Sequence, residues 1–261
     1  MSQNANLFQS VIAGGDFQFD PKIQQALANL DANAQIQNAG GIVADQVKAS
    51  VVTCVGELVD DSGSIKFAGN SQAVRDGHNL VIDAFNGSSD VNKASILMMC
   101  QYLNGEVLFP FSLLSDAVRM DTHNYNPNKG TPLYDQSLVF LTAAMAKVQE
   151  FEDNGVTARG CWLITTDGAD EHSIHATATM VKNLVDQLYR TENHIVAGMG
   201  IADGRTDFRK VFQSMGIREE WILTPGNTPQ EIRAAFQLFS QSAVRASQTA
   251  GGFSNLGGFG S

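Results

Sequence analysis

The chain has 261 residues, of which 43% are hydrophobic and 17% charged, a balance that supports a folded core and excludes wholesale disorder. Its formal net charge of −10, from 27 acids against 17 bases, repels phosphate backbones, and no Lys/Arg cluster overcomes this locally, which argues against a nucleic-acid partner. No apolar run approaches the length needed to span a bilayer, which argues against a membrane protein.

Residues 1–48 are rich in Gln, Asn and Ala and differ in texture from the remainder of the chain, so they read as an N-terminal helical extension. The start lacks the cationic segment and apolar core of a signal peptide, the first base being Lys22. After Pro21, residues Ile23, Leu27 and Leu30 share one helical face, with the proline in the first turn. The first roughly fifteen residues are expected to be loosely held. The apolar run 51–59 predicts a strand, and it ends on Asp60-Asp61-Ser62-Gly63-Ser64. Ligands of open α/β sheets sit beyond the carboxyl ends of the strands. Asp60, Ser62 and Ser64 share a spacing of two and bring a carboxylate and two hydroxyls into one turn. These are hard oxygen donors that suit Mg²⁺ and suit a thiophilic metal poorly. Asp and Ser also dominate ordinary turns, and Asp61 reads as a solvated turn residue.

A helix is predicted over 70–85 and a strand over 94–103. Asn104-Gly105 then reads as a two-residue hairpin into an edge strand that contains Pro110. A long loop over 112–129 leads to Thr131-Pro132, which has the form of an N-cap followed by proline at the first helical position. That helix carries Leu138, Leu141, Met145 and Val148 on one face and stops near Asn154-Gly155. The strand 161–166 ends on Asp167. A helix over 173–189, a strand over 195–201, a helix over 207–215 and a short strand over 221–223 come next. Thr228-Pro229-Gln230-Glu231 caps a last helix. Such alternation predicts a doubly wound sheet with right-handed crossovers. Cys54, Cys100 and Cys161 are odd in number, lie in apolar runs and lack metal-ligand spacing, as expected of buried free thiols in a reducing cytosol. The Gly-rich tail reads as a flexible end, with a docking peptide carried by Phe253, Leu256 and Phe259 as the lesser reading.

Three pieces carry a resemblance: Asp60-x-Ser62-x-Ser64, then Thr131 within Gly-Thr-Pro-Leu-Tyr-Asp, then Asp167, each at a strand end or helix start. In this order they resemble the metal-ion-dependent adhesion site of von Willebrand factor A domains, over residues 49–245. Gly-Thr-Pro-Leu-Tyr-Asp looks especially like bacterial, intracellular members of that family, including proteins of the tellurite-resistance type. The resemblance implies an α/β, Rossmann-like doubly wound, mostly parallel sheet of about six strands. It further implies one antiparallel edge strand and helices on both faces. Composition sets the domain at 49–248, between the extension of residues 1–48 and a Gly/Phe-rich tail of 249–261. The resemblance implies Mg²⁺, with Mn²⁺ or Ca²⁺ as substitutes. Ser62 and Ser64 would hold the ion directly, Asp60 and Asp167 directly or through water, and Thr131 in one of two states. An open position would take a Glu or Asp of a partner protein. The implied role is a non-enzymatic, cytoplasmic adaptor, with bacterial relatives often accompanying AAA+ ATPases or stress and defence clusters.

Other chemistries fit the residues less well. A haloacid-dehalogenase phosphatase would use Asp60 as nucleophile and an acid two residues later, where Ser62 stands. A serine hydroxyl does not protonate a leaving group near neutral pH. Ser62 or Ser64 as a hydrolase nucleophile needs a base, and His78, His123, His172, His175 and His194 stand in no triad context. His172 and His175 beside Glu171 read as a solvated helix start. Gly198-x-Gly200 carries Asp203 where a dinucleotide fingerprint needs its third glycine. A structural scaffold with an unused site is the remaining reading.

Overall fold

Val51–Val59 form the central strand β1, buried at every position after the first, because a parallel strand covered on both faces needs a continuous apolar run rather than alternation. The computed structural model describes residues 19–249, 252–253 and 256–260; the expectation of a loosely held start lies outside them. Beside β1 stand β2 (Ile96–Tyr102), β3 (Val107–Leu113), β4 (Thr157–Thr166), β5 (His194–Gly200) and β6 (Ile222–Leu223). The order is β3-β2-β1-β4-β5-β6, parallel throughout except for the antiparallel β2–β3 pair. Pro110 accordingly lies in an edge strand, where a missing N–H is tolerated.

The helices in chain order are α1 (Pro21–Asn29), α2 (Ala32–Gly40), α3 (Gly63–Phe67), α4 (Ser71–Gly87), α5 (Leu133–Asp153), α6 (Ala178–Arg190), α7 (Phe208–Ser214) and α8 (Pro229–Gln248). The chain runs from β1 through α4 to β2 in one direction and from β4 through α6 to β5 in the other. Right-handed crossovers therefore put α4 and α6 on opposite faces. α8 returns to pack on α4, and α5 packs on α6. Gly77 permits the α4–α8 approach, since a Cβ there would meet the Phe236 ring at 2.1 Å. On the α5 face Trp162 stands edge-on to Phe111 and Phe140 and donates its indole N–H to His194 Nδ1 at 2.9 Å. Among the described residues no helix is long and apolar enough to cross a membrane. Cys54, Cys100 and Cys161 are free and buried.

The extension is tied to the domain by polar contacts as well as by Ile23, Leu27 and Ile36 in the core. The Ile42 N–H donates to the Phe111 carbonyl of β3 at 2.8 Å. Buried Lys147 donates to the Ile42 carbonyl at 2.9 Å and to Glu150 Oε2 at 2.5 Å. Part of the sheet's open edge is thereby covered, which removes a template for unwanted strand pairing.

Three local expectations give way to tertiary contacts. The β2–β3 connection is not a two-residue hairpin. Tyr102 N–H bonds to the Glu106 carbonyl, and Asn104 Oδ1 accepts the Glu106 N–H at 2.7 Å, with Gly105 at φ +90°. The helix expected from residue 173 begins at Ala178. The Asp135 carboxylate accepts the N–H groups of Ile174, His175 and Ala176 at 2.6–3.1 Å, which holds that segment outside the helix. The tail, read as a flexible end, lies against the domain at its described residues. Phe253 is 5% exposed and its N–H bonds to the Glu192 carbonyl. The Phe259 ring stands edge-on to Trp221 at 5.1 Å. A Cβ on Gly258 would meet the Glu220 carbonyl oxygen at 2.3 Å, so glycine serves here for close approach.

Candidate metal centre

The register of β1 and β4 sets Val59 beside Thr165, so Asp60 and the pair Thr166-Asp167 leave the sheet side by side. The connections diverge at this point, the topological switch where open α/β sheets bind ligands. Asp60 is fully buried. Its Oδ1 accepts the Ser62 N–H at 2.7 Å, and its Oδ2 accepts the Thr166 hydroxyl at 2.7 Å and the Asp167 N–H at 3.3 Å. The Ser62 and Ser64 hydroxyl oxygens are 2.8 Å apart, and Ser64 donates to Asp167 Oδ1 at 2.5 Å. Asp60, Ser62, Ser64 and Asp167 thus form one hydrogen-bonded cluster. Ser64 is exposed, which opens the cluster to solvent.

Thr131 is brought up to these loops from a third part of the chain through its backbone, outside the hydrogen-bonded cluster. Lys129 bridges Ser62, its carbonyl accepts the Gly63 N–H at 3.1 Å, and its N–H donates to the Asp61 carbonyl at 3.0 Å. Two residues on, the Thr131 carbonyl accepts the N–H groups of Glu171 and His172 at 3.2 and 3.4 Å, and its own N–H donates to His172 Nδ1 at 2.9 Å. Thr131 is therefore pinned between the loop after β1 and the loop after Asp167. It is not the N-cap of α5. The helix begins at Leu133, after Pro132, without a capping side chain from its flanking residue. Asp170 Oδ1 and the Ser173 hydroxyl accept the Tyr134 and Asp135 N–H groups instead, at 3.1 and 2.9 Å. Residues 171–175 accordingly form a pinned loop and not a solvated helix start.

Asp61 is likewise not a solvated turn residue. It is 5% exposed, its Oδ1 accepts the Asn104 N–H at 3.1 Å, and its carbonyl accepts from Asn128 at 2.8 Å. Burial pushes its carboxyl up to about 7, against the Asn104 hydrogen bond and with help from the Asp60 charge. Two residues of the site had escaped the sequence reading. Thr166 could have been suspected from its place next to Asp167 at the strand end. Tyr125, buried in the long loop, donates its hydroxyl to the Asp60 carbonyl at 2.5 Å, and no sequence signal marks it.

The electrostatics favour a cation. Burial raises Asp60 in spite of the hydrogen bonds from Ser62 and Thr166. Burial also pushes Asp167 up to about 7, the Ser64 hydrogen bond opposing this and the Asp60 charge adding to it. Among the described residues neither carboxylate has a Lys, Arg or His ion-pair partner. Two buried acids without a counter-charge are unfavourable in their ionised form, and a divalent ion reverses that. No group of three or more His, Cys, Asp or Glu side chains among the described residues is placed to hold a metal. The donors here are two carboxylates joined to hydroxyls, an all-oxygen set that fits a hard divalent cation.

No protein-family model and no curated protein matches this chain. Among solved structures it is similar to proximal thread matrix protein 1 from the mussel byssus, with 15% identity over 73% of this chain and 47% of that one at a TM-score of 0.50. A second structure of the byssus protein, with a zinc-occupied MIDAS motif, matches at 16% identity, 74% of this chain, 48% of that one and a TM-score of 0.50. The pilus adhesin SpaC from Lactobacillus rhamnosus GG, in its open conformation, matches at 12% identity over 75% of this chain and 30% of that one, with a TM-score of 0.55. The chain spans just under half the length of the byssus protein and under a third of the adhesin. The six-stranded sheet with its single antiparallel edge, the helices on both faces and these neighbours together give the chain the von Willebrand factor A fold.

Proposed function

We propose that this chain is a non-enzymatic protein-binding module whose recognition depends on a divalent cation held by Asp60, Ser62, Ser64, Thr131 and Asp167. The observation that carries this reading is the hydrogen-bonded cluster of Asp60, Ser62, Ser64 and Asp167, with two buried carboxylates and no basic partner among the described residues. When bound, the cation supplies an electrophilic position that accepts a carboxylate from outside. Ser62, Ser64 and Asp167 orient their oxygens toward one another, Asp60 fixes the turn through the Ser62 N–H, and Tyr125 and Thr166 hold Asp60 in place. Mg²⁺ is the proposed ion, as a hard cation that keeps open or water-filled positions.

The partner in this reading is a protein presenting an acidic residue. The role is that of an adaptor in a bacterial stress or defence system, of the tellurite-resistance type, working with an AAA+ ATPase. Phosphatase chemistry is disfavoured, because Ser62 stands two residues after Asp60 where a general acid is needed, and a serine hydroxyl does not protonate a leaving group near neutral pH. The test is a pull-down from lysate in Mg²⁺ and in EDTA, wild type against Ser62→Ala. The expected result is a partner released by chelation and by the substitution. A partner retained in EDTA identifies a scaffold and ends this proposal.

A further inference from the structure

Two side chains on the segments that follow Ser64 and Asp167 differ in exposure from the other large apolar side chains among the described residues. Phe67 is 92% exposed and Ile174 is 80% exposed, while the next most exposed large apolar side chain among the described residues is Val51 at 43%. Phe67 ends α3, the short helix that contains Ser64, and its ring lies 3.4 Å from where a Cβ on Gly63 would stand, between the two site serines. Ile174 lies in the loop after Asp167. That loop is clamped rather than free: the Ile174 N–H donates to Asp135 Oδ2 at 3.0 Å, and Glu171 and His172 hold the Thr131 carbonyl. A single exposed apolar side chain is ordinary, but two large ones held on both loops of one site are the usual makings of a recognition surface. Exposed Lys66 and Lys129 stand on the same rim of an otherwise acidic chain, and their charge complements a negative ligand.

We propose that Phe67 and Ile174 are the specificity determinants of this surface, and that its occupant is a protein segment presenting one carboxylate flanked by large apolar side chains. The carboxylate addresses the cation position. The flanking side chains cover Phe67 and Ile174, whose backbone is already held by α3 and by the Asp135 carboxylate, so that less of the free protein has to be ordered. This inference rests on the metal-dependent reading above.

The test pans a displayed library of random short peptides against the full chain in Mg²⁺ and in EDTA, with wild type, the Phe67→Ser/Ile174→Ser double variant and Ser62→Ala. Both rim residues are exposed, so the double variant is expected to melt like the wild type. Wild type in Mg²⁺ is expected to enrich peptides with Asp or Glu close to Leu, Ile, Phe or Met. The double variant should keep the acid and lose the apolar neighbours, and a selected peptide should bind it about tenfold or more weakly. Acid enrichment without apolar neighbours on wild type, or the same apolar motif on the double variant, overturns this inference and leaves metal-dependent recognition standing. Absence of acid enrichment, or acid enrichment that survives EDTA and Ser62→Ala, overturns both.

Discussion

Changing pH with and without Mg²⁺ tests the electrostatics of the centre directly. Asp167 is 4% exposed and its carboxyl is pushed from an ordinary 3.8 up to about 7. A raised folded value means that the native chain holds the proton more tightly than the unfolded chain. Between about pH 4 and 7 the native state therefore binds more protons, and stability without metal falls as pH rises through that window, then levels off. At about 1.4 kcal/mol per pH unit, the ionised form at pH 8 carries a penalty on the order of 4 kcal/mol as an upper bound. The raised values of Asp60 and Asp61 act in the same direction. A divalent cation favours the ionised form. At a hundredfold excess over its dissociation constant Mg²⁺ adds about 2.7 kcal/mol, which is roughly 5–11 °C in Tm for a domain of this size. Thermal melts from pH 5 to pH 8 should show a Mg²⁺ response that grows with pH. Asp167→Asn should raise the metal-free Tm at pH 8, leave it nearly unchanged at pH 4, and abolish the Mg²⁺ response. Equal Mg²⁺ stabilisation at pH 5 and pH 8, or a metal-free Asp167→Asn variant less stable than wild type at pH 8, refutes the reasoning.

The tail and a buried pair give two further tests. Phe253→Ala should cost about 3 kcal/mol because the ring is buried, a fall of several degrees in Tm. Phe259→Ala should uncover Trp221 and shift its emission to the red while fully buried Trp162 is unaffected; a flexible tail would change neither. His78 offers Nδ1 to Glu57 Oε1 and Nε2 to the Val118 carbonyl, both at 3.0 Å. Two acceptors favour the doubly protonated ring. Burial alone lowers its pKa, but the Glu57 charge and hydrogen bond carry it well above 6.5. His78→Leu strands the buried Glu57 charge and should cost about 3–5 kcal/mol in denaturant titrations. Adding Glu57→Leu should recover much of that loss, and an undiminished loss in the double variant would count against the pair.

Whatever nearby residues decide was legible in the chain before any fold was known. The apolar run before Asp60 has to be a covered strand. Pro21 opens α1, and Thr228 with Glu231 forms the reciprocal cap of α8. The alternation of such pieces leaves little choice but a doubly wound sheet, and the order of Asp60, Ser62, Ser64, Thr131 and Asp167 pointed to one mouth of it. Tertiary structure decided wherever a distant partner outbid a local one. Thr131 loses its capping role because Asp170 and Ser173 cap α5 from across the site. The segment 174–176 is drawn out of α6 by the Asp135 carboxylate. Asp61 is taken from solvent by Asn104, and Gly258 of the tail fits closely against Glu220 instead of loosening a terminus. Each of these outcomes turns on buried hydrogen-bonding groups that need partners, and the partners are supplied by parts of the chain that meet only when the sheet has formed.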